Sequence, residues 1–115
     1  MSQTFVARSM NDIPIGFDLG LSAFNVIIPD GVTKIGDYAF ENCEGLKKIT
    51  IPETVTRIGD SAFSGCSGLT EITIPDGVTH IGWGAFEECE LLTEFIFPEG
   101  IIKIGWSAFN GCIGL

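Results

Sequence analysis

A chain of 115 residues with 45% hydrophobic content has room for one small domain with a continuous apolar core, and none for a second. Fifteen acidic residues against six basic ones give a net charge of -9, which argues against direct binding to nucleic acid or an anionic membrane, since both would repel the chain. The first twenty residues hold one basic residue, Arg8, and Asp12 and Asp18 interrupt their apolar stretches, so no secretory or membrane-inserting segment is read there and the chain is expected to be cytoplasmic.

Residues 1–12 read as an N-terminal extension. Repetition starts after them. Leu19-Gly20-Leu21-Ser22-Ala23-Phe24-Asn25 matches Ile104-Gly105-Trp106-Ser107-Ala108-Phe109-Asn110, and Ile13-Pro14-Ile15-Gly16 resembles the Ile-Pro-x-Gly that recurs downstream. Residues 13–27 are therefore expected to form a degenerate capping repeat, shortened as terminal solenoid repeats are.

Over residues 28–115 the repeat is strict. Ile28-Pro29-Asp30-Gly31-Val32 recurs from Ile51, Ile74 and Phe97, and 51−28, 74−51 and 97−74 all equal 23. The same step links Ile35, Ile58, Ile81 and Ile104; Phe40, Phe63, Phe86 and Phe109; Cys43, Cys66, Cys89 and Cys112; and Leu46, Leu69, Leu92 and Leu115. The last of the four copies is incomplete, with no C-terminal cap read from the sequence.

Within each copy, Ile49-Thr50-Ile51 and Ile72-Thr73-Ile74 alternate apolar and polar β-branched residues, the pattern of a half-buried strand. Proline ends the strand, and Pro-Asp-Gly turns the chain. A second extended segment of the form Val-Thr-x-Ile follows, Gly36 and its equivalents break it, and the Ala-Phe pair opens a turn or short helix whose phenylalanine fills the coil. One such unit has nothing to pack against. Stacked units bury their Ile, Phe, Leu and Cys columns continuously.

The pattern Ile-x-Ile-Pro-x-x-Val-x-x-Ile-Gly-x-x-Ala-Phe-x-x-Cys-x-x-Leu, over about four-fifths of the chain, resembles the BspA-like class of leucine-rich repeats. The resemblance implies a repeat solenoid: a leucine-rich-repeat-like right-handed coil of mostly short parallel β-strands with turns and short helical segments. It also implies a binding role, since members of that class are commonly surface proteins that contact other proteins or cells.

Chemistry-bearing sets are few. The cysteines lie a full repeat apart, whereas zinc sites need close pairs, so a ladder of buried reduced thiols is expected, with no metal and no cofactor. One histidine, no phosphate loop and no paired nucleophile and base leave no basis for an enzyme. Lys34, Arg57, His80 and Lys103 form a basic stripe and Asp30, Glu53, Asp76 and Glu99 an acidic one, read as a solvated face in which opposite charges offset each other.

The departures from the pattern carry the functional reading. Asp37 and Asp60 become Trp83 and Trp106, Thr73 becomes Ile96, Thr79 becomes Ile102, and the Gly45 and Gly68 position becomes Leu91. Exposed tryptophans are favoured anchors and an exposed apolar patch marks an interface. Trp83, Trp106, Leu91, Ile96, Ile102 and His80 are the expected contacts for a protein partner, with a homodimer expected through the open C-terminal end. Two alternatives stand beside this non-catalytic interaction module. One is a small acidic inhibitor that occupies a basic, nucleic-acid-binding site of another protein through Asp30, Glu53, Asp76, Glu99, Glu71 and Glu94. The other is a fragment of a longer surface adhesin.

Overall fold

The computed structural model describes residues 3–6 and 24–115. Among them run the strands β1 (Gln3–Val6), β2 (Phe24–Ile27), β3 (Lys34–Ile35), β4 (Leu46–Thr50), β5 (Arg57–Ile58), β6 (Glu71–Thr73), β7 (His80–Ile81), β8 (Glu94–Ile96) and β9 (Lys103–Ile104). They form two all-parallel sheets, one in the order β1-β2-β4-β6-β8 and the other β3-β5-β7-β9. The chain alternates between the sheets, and each circuit, one rung, returns to the same position 23 residues later: Lys34 lies opposite Arg57, Arg57 opposite His80, His80 opposite Lys103. The result is the parallel-strand solenoid that the repeat implies. Its strands place Ile49 and Ile72 inward and Thr50 and Thr73 in solvent, as the period-two alternation requires.

β1 falls within the segment read as an N-terminal extension and pairs in parallel with β2, Gln3 opposite Phe24. After an irregularity between Phe24 and Asn25, Val26 enters the column of Ile49. Residues 13–23, which hold most of the expected capping repeat, lie outside the described residues.

The third face is where structure and expectation differ. The short helical segments expected after the Ala-Phe pair are not formed among the described residues; tight turns stand in their place. Tyr38 and Asn42 hold φ of 62° and 60°, and such left-handed residues cannot propagate an α-helix. Their purpose is visible in the hydrogen bonds. The N–H groups of Tyr38, Phe40 and Asn42 donate to the carbonyls of Asp60, Ala62 and Ser64 on the next rung, at 2.7–2.9 Å. Those of Ala39, Glu41 and Cys43 donate three residues back within the rung, to Gly36, Tyr38 and Phe40. Alternating donors thus serve the turn and the neighbouring rung in turn, so this face is tied together as firmly as a sheet.

Inside, Phe40, Phe63 and Phe86 have no exposed surface and stack face to face with centroids 5.4 and 5.2 Å apart. Phe109 continues the stack at 5.5 Å from Phe86. On the last rung the Ile49 and Ile51 columns enlarge to Phe95 and Phe97, whose rings meet Phe109 edge-on at 4.7 and 5.6 Å.

Candidate functional site

The glycine after each second-sheet strand lets successive rungs come into close contact. A Cβ on Gly82 would sit 2.5 Å from both the backbone nitrogen and Oδ1 of Asp60, so no side chain fits there. That carboxylate occupies the space because it bridges rungs. Asp37 Oδ1 accepts the N–H of Asp60 at 2.8 Å, and Asp60 Oδ1 accepts the N–H of Trp83 at 3.1 Å. The threonine column works alike, with the hydroxyls of Thr56 and Thr79 donating to the carbonyls of Thr33 and Thr56 at 3.2 and 3.3 Å. Trp83 and Ile102 therefore replace residue types that tie rungs together elsewhere.

The bare glycine floor and the side chains flanking it form a groove of about 680 Å³ along the second sheet. One wall is the basic column Lys34, Arg57, His80 and Lys103. The other is Asp37, Asp60, Trp83 and Trp106. The first two rungs thus set a cation opposite a carboxylate, and the last two set His80 and Lys103 opposite indole rings. Among the described residues no ion pair joins the walls; the pair within 4 Å is Lys48–Glu71, at 3.7 Å on the first sheet. His80 Nδ1 lies 2.8 Å from the Thr79 hydroxyl.

The residues expected to bind a partner separate into two groups. His80, Trp83 and Trp106 meet in the groove, whereas Leu91, Ile96 and Ile102 do not line it. All the apolar members of the set are exposed, Trp106 at 89%, Ile96 at 76% and Ile102 at 74%. The Ile96 column is exposed at Thr50 and Thr73 as well, whereas the columns of Trp106 and Ile102 are half-buried at Asp60 and at Thr79.

A family model for the BspA type leucine rich repeat region matches residues 17–115, in six copies. The chain belongs to the BspA-type leucine-rich repeats. No curated protein matches it. Among solved structures, the BspA-type chain is 40% identical to a leucine-rich repeat protein from Bacteroides ovatus, with a TM-score of 0.76 over 85% of this chain. A leucine-rich repeat protein from Eubacterium ventriosum is 26% identical over 76% of the chain, with a TM-score of 0.53. The T. pallidum leucine rich repeat protein, at 24% identity and a TM-score of 0.67 over 82% of the chain, shares the fold. The chain spans 27% of the Bacteroides protein, 30% of the Eubacterium protein and 57% of the T. pallidum protein.

The cysteines of the BspA-type chain are a column of thiols, buried at Cys43, Cys66 and Cys89 and half-buried at Cys112. The thiols of Cys66, Cys89 and Cys112 donate to the carbonyls of Phe40, Phe63 and Phe86 at 3.0–3.2 Å. Burial pushes the Cys89 thiol up from its ordinary 9.0 to about 12, with the Cys112 thiol beside it adding to the rise. Cys66 and Cys112 are also raised, chiefly by burial. A protonated thiol in an apolar column is a poor nucleophile.

The acidic positions Asp30, Glu53, Asp76, Glu99, Glu71 and Glu94 are all solvent-exposed. Two features of the site escape a reading by columns alone. The carboxylate bridges of Asp37 and Asp60 need the rungs in contact to be seen, and so does the groove, although the three-residue spacing from Lys34 to Asp37 repeats in every copy. The Phe95–Phe97–Phe109 cluster was signalled by two Ile columns turning to Phe in the same copy.

Proposed function

We propose that this chain is a non-catalytic protein-interaction module whose partner docks on the apolar outward positions of the last rungs. The observation that carries the reading is that three outward columns, polar in the first two rungs, end in Trp106, Ile96 and Ile102 with about three-quarters or more of each side chain in water. Two of those changes put an apolar side chain where other rungs carry a side chain that bridges to a neighbour. At Ile102 the change gives up the hydroxyl bridge that Thr56 and Thr79 make, and large exposed apolar side chains are what a partner covers. Membership of a repeat family whose rungs present stacked surface columns agrees with recognition. Leu91 extends the apolar surface, and a second copy of the chain is one protein that could cover it.

The test is a pull-down from the source cell with the wild-type chain and an Ile96→Asp/Ile102→Asp double variant, at low and high salt. Proteins retained by the wild type at high salt and lost with the variant are expected. Recovery of the same proteins with both would overturn the reading. Loss at high salt alone would transfer the contact to the acidic columns. Light scattering across a concentration series shows whether the covering protein is a second copy.

A further inference from the structure

We infer that the groove on the second sheet is a separate binding site for an acidic polysaccharide, a linear glycan carrying uronic-type carboxylates. Three features of the groove point to that chemistry together. Half of the six Lys and Arg residues of a strongly acidic chain, and its only histidine, line this one groove. Such local concentration of positive charge on a chain of net charge -9 selects an anionic ligand at close range, inside the distance over which salt screens the remaining surface. Opposite the cations stand two indole rings, on adjacent rungs and exposed at 50% for Trp83 and 89% for Trp106. A pyranose ring offers such a surface its flat C–H face, which an indole covers at little conformational cost. Finally, Gly59, Gly82 and Gly105 keep the floor low, and the walls hold both donors and acceptors, with Arg57 and the carboxylate of Asp60 on one rung. Hydroxyl groups, which donate and accept at once, satisfy both.

The two halves of the groove then divide the work. Where Asp60 balances Arg57, sugar hydroxyls are bound. Where His80 and Lys103 face indoles with no opposing carboxylate on the wall, the carboxylate of a stacked uronate finds its counter-charge. The equal spacing of rungs, set by parallel strand pairing at roughly 4.8 Å, presents one such position per rung to a regular polymer. An acidic peptide shares the charge but not the hydroxyls, so it leaves the Asp60 carboxylate without a donor. The site is distinct from the proposed protein-docking surface except at Trp106, which borders both.

The experiment titrates the chain with polygalacturonate, with neutral dextran and with polyglutamate, following tryptophan emission and the heat of binding. Polygalacturonate is expected to shift the emission and bind, dextran to bind at least tenfold more weakly, and polyglutamate not to bind. Trp83→Ala and Arg57→Gln should each weaken polygalacturonate about tenfold, while the uncharged Ile96→Thr/Ile102→Thr should leave it unchanged. Circular dichroism and urea unfolding confirm that each variant is folded; if Trp83→Ala does not fold, Trp83→Phe with a smaller loss takes its place. Equal binding of polyglutamate would overturn the proposal in favour of a peptide ligand, and unchanged emission with polygalacturonate would overturn it outright. Either result leaves the protein-docking reading standing, because that reading is tested at Ile96 and Ile102.

Discussion

The Asp60 carboxylate accepts the backbone N–H of Trp83 at 3.1 Å, a side chain of one rung receiving the main chain of the next. Asp37 does the same for Asp60 at 2.8 Å. The bridge ends at Trp83, whose indole has no oxygen to offer Trp106. Asp60→Ala leaves the Trp83 N–H to water at an exposed edge, so the expected loss is modest, roughly 0.5–1.5 kcal/mol by urea unfolding. Asp60→Asn, which keeps a carbonyl acceptor, should lose less. An Asp60→Ala chain as stable as the wild type would show that the bridge contributes nothing.

The phenylalanine stack sets a larger scale. Phe63 is fully buried between Phe40 and Phe86, whereas Phe109 at the end of the stack is only half-buried. Phe63→Ala should cost about 3–5 kcal/mol through lost burial and a cavity that stacked rungs cannot collapse into. Phe109→Ala should cost clearly less. In a solenoid each rung contacts only its neighbours, so the central loss is expected to split the unfolding transition or unfold the chain. Equal effects at the two positions would mean that the stack is not the unit of stability.

Much of this architecture is written in the sequence because a 23-residue period leaves one way to stack Ile35 on Ile58 and Phe40 on Phe63, and the strand registers follow. The turn face was less legible. Ala-Phe after a broken strand fits a helix as well as a turn, and the choice is made by Tyr38 and Asn42 turning left-handed so that their N–H groups reach the next rung. Tyr38 does not announce that conformation; Asn42 does, since asparagine tolerates it and Gly65 and Gly111 share its column. At the site, the exposure of Trp83 and Trp106 followed from the aspartates they replace, but the groove required knowing that the basic column and the tryptophan column face each other across glycines. Columns record which residues share a face; they do not record how far apart two columns stand.

Glu88 shows where the turn face can be improved. It is exposed and holds φ of 61°, while Gly65, at the same place one rung earlier, holds 76°. A left-handed residue with a Cβ costs about 1–2 kcal/mol that glycine avoids. Part of that gain is offset by the greater freedom of glycine in the unfolded chain, so Glu88→Gly is expected to stabilise by roughly 0.5–1 kcal/mol. The reverse change, Gly65→Ala, should destabilise, since its Cβ would also strike the side chain of Asn42. A lower urea midpoint for Glu88→Gly would show that its side chain holds the rung in a way its exposure hides.

The thiol column ties stability to alkaline pH with a definite sign. In the folded chain Cys89 titrates near 12, up from an ordinary 9.0, and Cys66 is also raised. Unfolding returns these thiols to their ordinary range, about 8.5 to 9. Below that range both states hold the proton and the stability is present in full. Between the two values the unfolded chain has lost a proton that the folded chain keeps, so each thiol removes about 1.4 kcal/mol per pH unit as pH rises. Urea midpoints are therefore expected to fall steeply above about pH 8.5, and Cys89→Ala, though less stable at neutral pH, should show a shallower fall. Alkylation at pH 8 should reach the half-buried Cys112 before Cys66 or Cys89, because reaction at the inner thiols requires the rungs to part. Uniform labelling of all four at the rate of an unfolded chain, or a midpoint that does not move up to pH 10, would show that the column is open to water.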